Sequence, residues 1–98
     1  KVPPEEWKTS LKSEREVETI MNIKDLLMTM ATSLVDHPED VHVNVVEAES
    51  SVVLELKVHA EDIGKVIGKE GKTAKAMRTI LSASASKINK RSILEILE

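Results

Sequence analysis

The sequence predicts an α+β domain: a three-stranded sheet with helices packed on it, in the order α-β-β-α-α-β. Three observations carry that expectation. Apolar residues recur every three or four positions ahead of Pro38, two alternating segments flank a polar turn, and two helical stretches meet near a corner with all three glycines within eight residues. The 98 residues allow one core, and the balance of 41% hydrophobic to 32% charged residues is that of a folded globular protein.

The first helix is expected to open at Ser13-Glu14-Arg15-Glu16, where a hydroxyl and a Glu three residues on make a capping box. Val17, Ile20, Ile23, Leu27, Met30 and Leu34 form its apolar stripe, and Met21, Met28 and Met30 are read as core filling. The helix should stop near Val35, because Pro38 disfavours helical geometry at His37 before it. Residues 1–12 are polar, contain Pro3 and Pro4, and carry the only tryptophan, Trp7. Asn22 with Asp25 offers a second helix start, and Met21-Asn22 has the look of a natural chain start. The domain is therefore placed at residues 22–98, behind an N-terminal extension of residues 1–21.

Val41, Val43 and Val45 alternate with polar residues, and Ala48-Glu49-Ser50-Ser51 makes a turn. Val52, Leu54, Leu56 and Val58 form the inward face of a second strand, with Glu55 and Lys57 outside. A short helix follows from Ala60 to Ile67, opened by Glu61 and Asp62 where the helix dipole favours acids. After Gly68-Lys69-Glu70-Gly71 a long helix runs from Lys72 to about Ile88, and Asn89 suits a left-handed stop. Ile93, Leu94, Ile96 and Leu97 are apolar in both directions, which reads as a last strand covered on both faces.

Composition removes several classes of function. Without cysteine there are no disulfides, thiol nucleophiles or Cys-ligated zinc. One Trp and no Phe or Tyr argue against a platform that stacks bases on aromatic rings. No apolar run approaches a membrane span and no signal-peptide pattern appears, so a cytoplasmic protein is expected. His37, His42 and His59 are scattered without metal-ligand spacing, so neither metal nor cofactor is expected. The Ser82-to-Ser86 run lacks a partnered base, and no catalytic residue is assigned. Gly71-Lys72-Thr73 ends like a nucleotide-hydrolysing phosphate loop, but Val66 stands where that motif needs glycine, and a helix precedes it rather than a strand.

The net charge of −3 hides a split. Residues 1–62 hold six Lys/Arg against fourteen Asp/Glu, while residues 63–98 hold eight against three. An anionic partner is therefore expected on the C-terminal part, held at short range against an unfavourable overall field. Gly64, Gly68 and Gly71 fall within eight residues there, among Lys65, Lys69, Lys72, Lys75 and Arg78. Free amides at the start of the long helix, with mobile cations around them, suit phosphate oxygens.

With these residues in view, Val66-Ile67-Gly68-Lys69-Glu70-Gly71, between two helices and after a hairpin, resembles the GxxG signature of a KH domain. The element order is that of the type II, prokaryotic form. From about Asn22 to Glu98 the chain resembles the KhpA-like family of small bacterial single-KH RNA-binding proteins. Ser33-Leu34-Val35-Asp36, the Val52-to-Val58 strand, Glu61 to Gly68, Ala74 to Thr79 and Asn89-Lys90-Arg91 carry the match.

That resemblance implies non-catalytic binding of single-stranded RNA, its backbone clamped over the loop and its bases in an aliphatic groove. Gly68, Lys69, Glu70 and Gly71 would then meet phosphate and sugar, Gly64 and Ile67 would floor the groove, and Lys65, Lys72, Lys75 and Arg78 would line its rim. It also implies an RNA-chaperone or post-transcriptional regulatory role, and pairing with a second copy or with a Jag-type KH protein. Glu70 places a negative charge in the loop, and Ala74 stands where many KH domains have Ile, making a shallower groove wall. Both point to weakly selective binding, roughly micromolar and falling with salt. The alternative is a KH-fold dimerisation or scaffold module with little RNA affinity.

Overall fold

The computed structural model describes residues 14–98; Pro3, Pro4, Trp7 and the expected Ser13 cap lie outside the described residues. Helix α1 spans Glu14–Leu34 and buries Ile20, Ile23, Leu27 and Ala31 along one side. Its continuous turns pass through positions 21 and 22, so the expected start of the domain falls inside a helix. Val17 and Leu34, at the two ends of the stripe, are exposed. A 21-residue helix runs about 31 Å, past the roughly 23 Å of a seven-residue strand, so its ends overhang the sheet. Met21 is not core filling: it sits about 200° around the helix from Ile23 and is 60% exposed.

Strands β1 (His42–Glu47) and β2 (Ser51–Lys57) form the expected hairpin, closed by a 2.8 Å bond from the Ala48 amide to the Ser51 carbonyl. They pair antiparallel, with Val43 opposite Leu56 and Val45 opposite Leu54. Strand β3 (Arg91–Leu97) lies parallel to β2, Leu94 beside Leu54 and Ile96 beside Leu56. The order β1-β2-β3 puts β2 in the centre. Its Val52, Leu54 and Leu56 are fully buried against Leu27 and Ala31 of α1 and the helices that follow.

Helix α2 is only Ile63–Ile67, entered through a 3₁₀ turn at Ala60–Asp62. Helix α3 spans Lys72–Ala85 and buries Ala74, Met77, Leu81 and Ala85. It tightens into a 3₁₀ turn at Ser86–Ile88, three residues short of the expected α-helical end, before Asn89 stops it at φ 56°, ψ 39°.

The last strand departs from expectation. Ile93 and Leu97 are 41% and 44% exposed, so β3 is covered on one face only. The helices pack on the side of the sheet that carries Leu54 and Leu94, and β3 is an edge strand whose odd positions face outward. Val46, Val53 and Ile93 lie in register across this open face, with Val46 also exposed.

Candidate functional site

The glycine corner is built from three backbone conformations that side chains resist. Gly68 caps α2 at φ 78°, ψ 172°, Glu70 lies at φ 58°, ψ 24°, and Gly71 caps the start of α3 at φ 74°, ψ 12°. Gly68 is demanded twice over. A Cβ there would meet the Thr73 hydroxyl and stand 2.6 Å from Thr73 Cβ and 2.9 Å from the Thr73 nitrogen. At Gly71 only the positive φ selects glycine, since a Cβ meets nothing within 4 Å.

The expected row of free amides is only partly there. The Gly68 amide donates to the Gly64 carbonyl at 2.9 Å, Gly71 to Gly68 at 3.1 Å, and Lys72 to Lys69. Consecutive tight turns consume these donors, and the amides of Lys69 and Glu70 take no part in those turn bonds.

Around the corner the predicted residues separate into three groups. Gly64 and Ile67 are exposed on α2, Ile67 to 38%, and a Cβ at Gly64 would project into open space. Lys69, Lys75 and Arg78 are exposed and form no ion pair among the described residues. Lys72 and Lys65 are engaged. Lys72 Nζ lies 3.7 Å from Glu70 Oε1, so the loop's acid is met by the lysine two residues after it. Lys65 Nζ is 3.2 Å from Asp36 Oδ2 and 3.5 Å from Asp62 Oδ1; chiefly the Asp36 carboxylate raises its pKa above 10.5. Ala74, expected in the groove wall, is buried, with 3% exposure.

A polar knot that the sequence did not disclose lies at the entrance to α2. Asp62 is wholly buried and does not cap its own helix. It accepts the amides of Asp36 at 3.2 Å and His37 at 3.0 Å, and His37 Nδ1 lies 3.0 Å from Asp62 Oδ2. Burial pushes this carboxyl up, but the His37 ring and the two amides outweigh it and hold it at about 2, below the ordinary 3.8. The same contact raises His37 above its ordinary 6.5. His37 and His59, read from sequence as scattered, are stacked with ring centroids 4.1 Å apart. They come together because the connector after α1 and the one after β2 meet, a juxtaposition no local spacing reveals.

On another side of α3, Met30, Leu34, Thr73, Ala76, Met77 and Ile80 line an apolar groove of about 370 Å³ between α1 and α3. Leu34 and Ile80 are exposed there. Among the described residues no helix is long and apolar enough to cross a membrane.

A parallel pairing between the strands that flank two helices, with a Gly-x-x-Gly corner joining those helices, defines a KH-type α+β domain. A family model described as KhpA/KhpB, KH domain, matches residues 24–96, and the chain belongs to that family. Among its relatives, the RNA-binding protein KhpA of Clostridium perfringens is 57% identical over 75 residues, covering 76% of this chain and 100% of the relative. Its namesake from Clostridium acetobutylicum is 56% identical over 75 residues, with the same coverage. That of Aquifex aeolicus is 50% identical over 76 residues, covering 78% of this chain and 96% of the relative. No solved structure matches the chain.

Proposed function

We propose that this protein is a non-catalytic, cytoplasmic binder of single-stranded RNA that grips the backbone at Gly68–Gly71 and lays bases over Gly64 and Ile67. The observation that carries this reading is the corner itself: positive-φ glycines, with Lys69, Lys75 and Arg78 nearby and in no ion pair among the described residues. Gly64 adds support. Alanine would stabilise that helical position by about 1 kcal/mol and clash with nothing, so packing does not demand glycine there. A bare backbone on an exposed aliphatic helix suits close approach by a base. That relatives are named RNA-binding proteins supports the RNA part of this reading. Within it, Gly68, Lys69, Glu70, Gly71, Lys75 and Arg78 would meet the backbone. Lys72 and Lys65 would act from the rim only by leaving their present carboxylate partners.

The test is a titration of short single-stranded RNAs against wild type and Lys69→Asp, with circular dichroism confirming the fold. Binding by wild type and its loss in the variant supports the reading; equal binding by both, or none by wild type at low salt, overturns it.

A second reading concerns assembly. The apolar groove between α1 and α3 supports pairing with a second copy or with a Jag-type KH protein, in an RNA-chaperone or regulatory role. Two weakly binding modules on one RNA gain from raised effective concentration. If the titration shows no RNA binding, this surface would instead make the protein a dimerisation or scaffold module.

A further inference from the structure

We propose that His37, His59 and Glu61 form a site for a borderline divalent transition ion, with zinc as the reference case. One nitrogen from each imidazole and a Glu61 carboxylate oxygen lie within 4.8 Å of one another. His37 Nε2 is 3.8 Å and His59 Nδ1 3.9 Å from Glu61 Oε1. Donors about 2.1 Å from a tetrahedral ion sit roughly 3.4 Å apart, so a contraction of about 1.4 Å or less completes the set. The two Glu61 distances need to close by only about 0.5 Å, within reach of rotation of its mostly exposed side chain. The remaining closure, between the two rings, falls to the partly exposed His59.

The other half of the site is already in place. A ligating histidine is oriented by a carboxylate on its second nitrogen, which fixes the tautomer and leaves the first nitrogen's lone pair for the ion. Asp62 does this to His37: its Oδ2 lies 3.0 Å from Nδ1, and Nε2 is directed toward Glu61. Because Asp62 is fully buried and also holds two backbone amides, the anchor is rigid. Lys65, the nearby cation, is engaged with Asp36 and Asp62 rather than with the three donors.

Two local changes accompany binding. Nitrogen lone pairs lie in the ring plane, so the His37–His59 stack opens at one edge. His59 Nδ1 also gives up the hydrogen bond it accepts from the Glu61 amide. Two imidazoles and one carboxylate, with water in the fourth position, favour zinc, nickel or copper over magnesium or calcium. The ion would tie the connector after α1 to the turn that opens α2. This inference is independent of the RNA reading.

The experiment is calorimetric titration of the full chain with zinc chloride, after stripping with EDTA and exchange into chelator-free buffer, with thermal unfolding measured in parallel. The expected result is one equivalent per chain and a melting temperature that climbs with free zinc. Binding should weaken by about tenfold or more in His59→Ala and in Glu61→Gln. His42→Ala, whose ring lies on the open sheet face, should bind as wild type, and magnesium should give no heat. No saturable zinc uptake by wild type, uptake indifferent to both substitutions, or an equal loss in His42→Ala would each overturn the site.

Discussion

Glu70 concentrates the conflict within the corner. It holds a left-handed conformation that costs a non-glycine residue about 1–2 kcal/mol, and it brings a carboxylate to a loop proposed to face phosphate. Asparagine tolerates that backbone better and carries no charge. Glu70→Asn should leave stability unchanged or raise it in urea unfolding, and should tighten RNA binding about twofold to fivefold by freeing Lys72. The glycines differ from one another in the same assay. Gly71→Ala should cost about 1–2 kcal/mol from backbone strain alone. Gly68→Ala should cost about 2–4 kcal/mol, because the new methyl also drives into the first turn of α3. Gly64→Ala should do the reverse: stabilise by about 1 kcal/mol while weakening RNA binding. The positive φ at Gly68 and Gly71 was legible from residue type and spacing. The collision with Thr73 was not, since it depends on how closely α2 and α3 approach.

Among the elements, the parts most legible in sequence were those whose burial follows from a local period. Val52, Leu54 and Leu56 alternate into the core as read, and Asn89 ends its helix in the expected conformation. Ile93 and Leu97 misled because an apolar run does not say whether a helix lies on each face of the strand. Asp62 misled for a different reason. An acid in the first turn of a helix reads as a dipole partner, yet this one reaches back 25 and 26 residues to hold the amides after α1. That tie gives the fold a pH dependence of known sign. The low pKa of Asp62 contributes stability that is complete above about pH 4 and lost as the pH falls toward 2. The raised pKa of His37, with Asp62, Glu61 and Glu39 facing it, contributes stability complete below 6.5 and lost as pH rises through its folded value. In EDTA-containing buffer, the stability difference between wild type and His37→Gln should therefore widen as pH drops from about 8 to 6. A difference that is flat across that range would contradict the His37–Asp62 contact.

Across the whole molecule, the net charge of −3 opposes a nucleic acid, and the cations of α3 and the corner that form no ion pair among the described residues must act locally. If Lys69, Lys75 and Arg78 each neutralise one phosphate, log affinity should fall with log salt at a slope of about −2. A slope near zero would remove phosphate from the account. Whether RNA lies on the glycine corner is read most directly by amide NMR of the whole chain during titration with a short single-stranded RNA. Gly64 and the run from Ile67 to Lys72 should move first and furthest, while Val46, Val53 and Ile93 on the open sheet face stay still. Movement of the sheet face with a silent glycine corner would contradict that placement.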